Sequence, residues 1–519
     1  MKSAGFFSGV CTTLFAALCV TLMVGVLAEP ESPRAASPLL PATTPAGSSA
    51  QTAAAKAPAE EDDPQLPLLE AIRSDRPEQL FELLKETGSQ IPESRALSLQ
   101  SLAHYRLGDF QSAAQLLARL DPARADALFL QSLLLASEGR LTEAERLLSS
   151  ALSRQTELGL LAFEAGLLEN NLLQHLNRFR DAAGVVDQFL PDAPFGKPAL
   201  RSIRTLLAAA PAEPYRVQAV AQDHTVRLLA DGSLPARTVM VLEPEQQGRL
   251  VLFDTGSSLT LFKADLRRQS ETEARALGLS YEANTDFQYA WHAGVTLGGW
   301  QVGDIPVGLI DRKSEQAAQL NYEAVFALPF LRRFFVVFDF PARSMQLLAH
   351  RPESVEGDAI PFRYVADQII LTASINGKRA TLLLDTGLGL PSMKLDVSWA
   401  QGVTAPAPDG AGKPTAETGG SSNNSRQEPP KPAQPQRPVP PGSVGPVPAL
   451  ETQIHSLKFG NQEMKALPVT LDPLRRRLNQ NPLAVRIDGI LAAPMLQDYV
   501  VSIDFDSGQL YFLKKTDAR

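Results

Sequence analysis

The chain has 519 residues, 44% of them hydrophobic, which is the composition of a globular protein long enough for several domains. A formal net charge of -8 gives no electrostatic footing for nucleic acid, so none is expected as a partner. The six histidines are scattered, with no HExxH helix and no ligand spacing, so no metal site is expected.

In chain order, residues 6–27 are almost wholly apolar, follow Lys2 and lead through Val26-Leu27 to Ala28. This pattern predicts a signal peptide over residues 1–28, and the run is also long enough to remain as a membrane anchor through residues 6–27. Both cysteines, Cys11 and Cys19, lie inside it, so a chain that loses the segment has no thiol for a disulfide. Leu18 before Cys19 fits a lipoprotein site poorly. Residues 29–66 are mainly Pro, Ala, Ser and Thr, cannot bury a core, and are expected to form a disordered linker.

Residues 67–211 carry Leu and Ala at helical spacing. A turn-former recurs at Asp75, Gly108, Gly139 and Asn177, followed two positions on by an aromatic or apolar residue and five on by a small one, as in Phe110 and Ala113. Repetition at this interval predicts stacked helical hairpins. The units resemble tetratricopeptide repeats; an irregular α-solenoid of the same class fits almost as well, because the Asp75 unit is degenerate. Either form offers a concave face to a protein or peptide partner.

Two β-rich stretches follow, 213–351 and 356–516, and each contains Asp-Thr-Gly directly after an apolar run: RLVLFDTGSSLTLF from Arg249 and ATLLLDTGLGLPSMKL from Ala380. One such triplet arises by chance in roughly one chain in ten of this length. Here two further segments match in the same order. Leu297–Val307 lies over Phe459–Val469, with Gly298 on Gly460 and Pro306 on Pro468. Glu323–Leu348 lies over Asp488–Leu513, with Ala327 on Ala492, Val336 on Val501 and Asp339 on Asp504. An ordered series of matches argues for a duplicated domain. The second copy carries an insertion rich in Pro, Gly, Ser and Asn at residues 401–448. A carboxylate at the end of a buried strand is costly unless it is hydrogen-bonded or used. Two such turns face to face would bring two carboxylates to one water, and like charges that close cannot both ionise.

On these segments the chain resembles the retropepsin-like aspartic peptidases, in particular the bacterial members, over about residues 222–514. The resemblance implies a multidomain α + β chain: an N-terminal α-solenoid followed by two mainly-β retropepsin-like lobes, paired within one chain around one cleft. It implies Asp254 and Asp385 as the catalytic pair, with Thr255, Gly256, Ser257, Thr386 and Gly387 as the supporting turns. Ala327 and Ala492 would pack under the turns, where the family has glycine, and the added methyl is expected to press on them. Leu388 stands where the family has a small residue, and the insertion falls where a flap would be. The implied activity is hydrolysis of a polypeptide substrate by a water between the two aspartates, with no metal or organic cofactor, in the bacterial periplasm or cell envelope. The same residues would also suit a catalytically silent peptidase-fold protein serving as a peptide-binding or scaffold module. Tyr289 and Trp291 are candidates for flap aromatics or for core.

Overall fold

The computed structural model describes residues 66–73, 77–87, 90–189, 197–231, 234–241, 250–264, 274–280, 287–311, 322–389, 393–401, 450–474 and 483–515. The expected signal segment, nearly all of the linker, the 401–448 insertion after Gln401 and the Arg475-Arg476-Arg477 run lie outside them. The described chain is helical at its N-terminal end and mainly β thereafter. Among the described residues no helix is long and apolar enough to cross a membrane.

The helices are α1 (Leu66–Arg73), α2 (Pro77–Thr87), α3 (Glu93–Arg106), α4 (Phe110–Leu117), α5 (Ala125–Ser137), α6 (Leu141–Leu152), α7 (Gln155–Leu158), α8 (Ala162–His175), α9 (Phe179–Phe189) and α10 (Lys197–Ala208). The turn-formers close three hairpins in one way. Gly108, Gly139 and Asn177 have φ of 72°, 81° and 60°, the left-handed conformation that ends a helix. After each, the next amide reaches back over the turn: Asp109 N to His104 O at 2.8 Å, Arg140 N to Leu135 O at 3.0 Å and Arg178 N to Leu173 O at 2.7 Å. The small residues Ala113, Ala144 and Ala182 are buried, which lets α3 and α4, α5 and α6, and α8 and α9 pack closely.

Among the described residues, eleven strands and one short helix follow up to Leu348: β1 (Arg216–Ala219), β2 (Thr225–Asp231), β3 (Leu234–Val241), β4 (Leu250–Asp254), β5 (Thr260–Ala264), β6 (Ala274–Ser280), β7 (Phe287–Leu297), β8 (Trp300–Asp311), β9 (Ala324–Ala327), α11 (Leu328–Leu331), β10 (Phe335–Asp339) and β11 (Ser344–Leu348). The second set comprises β12 (Asp358–Pro361), β13 (Arg363–Val365), β14 (Gln368–Ile375), β15 (Lys378–Asp385), β16 (Met393–Asp396), α12 (Val397–Ala400), β17 (Leu450–Phe459), β18 (Gln462–Asp472), β19 (Gly489–Ala492), β20 (Tyr499–Asp504) and β21 (Gln509–Lys514).

Both lobes share one strand order: β3-β4-β9-β5-β8-β7 in the first and β14-β15-β19-β16-β18-β17 in the second. In the second, β17 also pairs with β14, so six strands close into a barrel and leave no edge within the ring. The matched glycines perform one task, since Gly298 and Gly460 turn β7 into β8 and β17 into β18 with φ of 52° and 54°.

The lobes join through β10 and β20, which pair antiparallel with Val336 opposite Ile503, Val337 opposite Ser502 and Phe338 opposite Val501. Because the internal match sets Val336 on Val501, this register places a pseudo-twofold axis between Val337 and Ser502. Strands β11 and β21 flank the seam, and β2 and β12 extend it to six strands.

The turn edge of the helical region lies against the second lobe. Arg379 donates to Gly108 O at 2.7 Å and to Asp109 at 3.2 Å, Arg363 pairs with Glu138 at 2.7 Å, and His175 meets Asp367 at 3.0 Å. A Cβ at Gly108 would sit 2.6 Å from Thr381 Oγ1, so backbone and sheet are in close contact there. Toward the first lobe, Trp291 of β7 donates to Leu206 O of α10 at 2.9 Å and meets Phe179 edge-on. Trp291 and Tyr289 are both buried.

Candidate active site

Each Asp-Thr-Gly ends a strand that is buried on both faces, β4 or β15, and runs parallel to a second short apolar strand. Asp254 lies opposite Ala327 in β9, and Asp385 opposite Ala492 in β19. Both alanines are fully buried, and Ala327 N donates to Thr260 Oγ1 at 3.2 Å.

The two turns hold each other through their threonines. Thr255 Oγ1 donates to Leu384 O at 2.8 Å and accepts from Thr386 N at 3.0 Å. Thr386 Oγ1 donates to Phe253 O at 2.8 Å and accepts from Thr255 N at 3.1 Å. Each hydroxyl is thus satisfied in both roles within a dry contact, the condition under which buried polar groups stabilise a fold. With alanine under both turns, all four bonds still close. The reciprocal pattern also makes glycine obligatory after each threonine. A Cβ on Gly256 would lie 2.6 Å from Asp385 Cγ, and one on Gly387 would lie 2.5 Å from Asp254 Oδ2.

Asp254 Oδ1 accepts from Gly256 N at 2.8 Å, and Asp385 Oδ1 accepts from Leu388 N at 2.9 Å. The side chains are only 9% and 3% exposed, and the carboxyls hydrogen-bond to each other. Burial, reinforced by the charge of Asp385, holds the Asp254 carboxyl well above the ordinary carboxylate range. Burial also raises Asp385, but the hydrogen bond from Asp254, the amides of Leu388 and Gly387, and the charge of Lys394 pull the other way. Both carboxyls are thus raised, and two carboxyls this close share one proton between them. Ser257 completes the first turn, with its amide 3.4 Å from Asp254 O and its carbonyl accepting from Leu328 N at 3.0 Å. Ser257 Oγ donates to Leu259 O at 3.2 Å.

Lys394 escaped the sequence reading. It is buried in β16, pairs with Asp472 at 3.5 Å, and stands opposite Ile490 of β19, which is itself opposite Leu383 of β15. Leu261 occupies the corresponding place in the first lobe, opposite Val325. The signal was hidden because the chain from Asp385 to Lys394 is two residues longer than that from Asp254 to Leu261, so the match by segments broke down between the turn and the next strand.

No protein-family model matches the chain, and no curated protein is similar to it. The functional reading therefore rests on the residues themselves.

Proposed function

We propose that the protein is an aspartic endopeptidase with two retropepsin-like lobes in one chain. The observation that carries this reading is the pair of buried, mutually hydrogen-bonded carboxyls of Asp254 and Asp385, locked across the lobe boundary by reciprocal threonine bonds. A carboxyl pair that shares one proton is an acid and a base in one site.

One of the two carboxyls, ionised, draws a proton from a water held between them. The other, protonated, hydrogen-bonds the scissile carbonyl oxygen and gives that oxygen its proton as the hydroxide adds to the carbonyl carbon, leaving a tetrahedral diol. As the diol collapses, the first carboxyl passes the proton it took from water to the leaving nitrogen, the second takes back a hydroxyl proton, and the C–N bond breaks. Neither step calls for a metal or an organic cofactor. An extended polypeptide is the substrate, and the helical region, read as tetratricopeptide-like, is the surface for a protein or peptide partner. The N-terminal apolar segment supports export to the periplasm or envelope, released or anchored.

The test is incubation of purified protein with a peptide library at mildly acidic pH, alongside Asp254→Asn and Asp385→Asn. Cleavage by wild type alone, blocked by a statine peptide, is the expected result. Cleavage that survives either substitution removes that residue from the mechanism.

A further inference from the structure

Where the helical region meets the first lobe there is a cavity of about 130 Å³, and none of the steps above uses it. Three structural units contribute its walls. Ile203 and Leu206 come from α10 and Phe179 from α9; Leu259 comes from the segment just after the Asp254 turn; Tyr289 comes from β7. Its surface is more apolar than polar, and among the described lining residues Arg333 is the one guanidinium, beside the polar side chains of Asn171, Gln174, Ser258 and Thr260.

Arg333 sits just beyond α11, the helix that starts at the residue after Ala327. Its guanidinium lies 4.1 Å above the ring of Tyr215, and its Nε is buried with no hydrogen-bond partner. The Tyr215 hydroxyl hydrogen-bonds it, and a second arginine, Arg332, is a charged neighbour. Among the described lining residues the one carboxylate, Asp367, is already engaged by His175 at 3.0 Å and by the Tyr364 hydroxyl at 2.8 Å. A guanidinium on the wall of a largely apolar cavity is the arrangement that a carboxylate with a compact apolar body would satisfy, since the charge meets the fork and the body fills the space.

We propose that this junction cavity is a binding site for a small carboxylate with an apolar body of about six carbon atoms, comparable in volume to the cavities known to hold benzene. The same chemistry is offered by a free aromatic or branched-chain acid and by the C-terminal residue of a peptide. The site is well placed to act as an effector site. Leu328 N donates to Ser257 O and Ala327 N to Thr260 Oγ1, so the wall that carries Arg333 is bonded on both sides to the segment that carries Asp254.

The experiment needs no turnover, so its outcome is separate from the peptidase reading. Sodium benzoate, benzamide and acetyl-alanyl-leucine, as free acid and as amide, are titrated into the full chain by calorimetry, with melting temperature as a second readout. Saturable binding of benzoate or of the peptide acid, at least tenfold tighter than the matching amide and weakened at least tenfold in Arg333→Met, is the expected result. Benzoate binding without the peptide acid identifies a free acid as the natural source, and the reverse identifies a chain end. Acids and amides binding alike, or no saturable binding by either acid up to about 20 mM, overturns the proposal. Should Arg333→Met fail to fold, the contrast between acid and amide on the wild-type chain decides by itself.

Discussion

The two lobes have the same strand order, the same strand polarities and the same aspartate turn, yet their sites are not equivalent. In the first lobe the carboxyl of Asp254 sees two backbone amides and the charge of its twin. In the second, Asp385 sees two amides and in addition the buried ammonium of Lys394, where the first lobe has Leu261. A symmetric backbone thus brings two buried carboxyls together, and one side chain two strands away makes their surroundings differ.

The largest effect should come from removing either half of the pair. Asp254→Asn and Asp385→Asn are each expected to lower kcat/KM by at least about a thousandfold, and mixing the two mutant chains should restore nothing. Recovery on mixing would show that lobes exchange between molecules, and the comparison of lobes within one chain would then lose its basis.

Next in size are the turn glycines. Gly256→Ala and Gly387→Ala each drive a methyl into the opposite carboxyl, at 2.6 Å from Asp385 Cγ and 2.5 Å from Asp254 Oδ2. Each is expected to cost about 1–3 kcal/mol in urea denaturation and at least tenfold in activity. A marked inequality between them would place more slack in one turn than the symmetric threonine bonds imply.

The third effect is on stability and has a sign that depends on pH. Above the ordinary carboxyl pKa of 3.8, unfolded chains release the proton that native Asp254 still holds, so stability falls as pH rises toward the raised value. Asparagine has no proton to release. Asp254→Asn should therefore melt higher than wild type at pH 7 and show little difference at pH 3.5, with a gain of about 1.4 kcal/mol for each unit by which the carboxyl is raised. Equal melting shifts at both pH values would mean that burial does not hold the proton.

The smallest effect sharpens the comparison most. Lys394→Met removes the cation that favours ionised Asp385, so both limbs of the pH–rate profile should move to higher pH. Leu261→Met, at the matching place in the first lobe, should leave the profile where it is. If the two substitutions behave alike, Lys394 is not the source of the asymmetry.

Much of this site could be read from the chain. Asp-Thr-Gly after an apolar run, twice, followed by matched segments in order, named the residues that the structure brings together at the lobe boundary, and the turn-formers at Gly108, Gly139 and Asn177 marked the hairpin ends. These signals are local, each one set by a strand or turn of a few residues. What could not be read depends on contacts across long separations. Lys394 falls in the stretch where the copies differ in length, and its burial follows from the register of β16 on β19. The packing of Arg379 on Gly108 and of Trp291 on Leu206 joins residues far apart in sequence, through one side chain and one carbonyl, which leaves no periodic trace. Trp291, a candidate flap aromatic by position, is instead tied to the last helix before the lobes.

The seam between β10 and β20 has a further consequence, in the order of synthesis. A ribosome delivers β10 about 160 residues before the strand that will cover it, an interval of roughly ten to thirty seconds at ordinary elongation rates. Until then the edge from Val336 to Asp339 has its hairpin partner β11 on one side and no strand on the other. A bare apolar edge of this kind is a template for pairing with other chains. The nascent first lobe is therefore at its most vulnerable while the second is being made, and the stretch from Tyr499 to Asp504 covers that edge late.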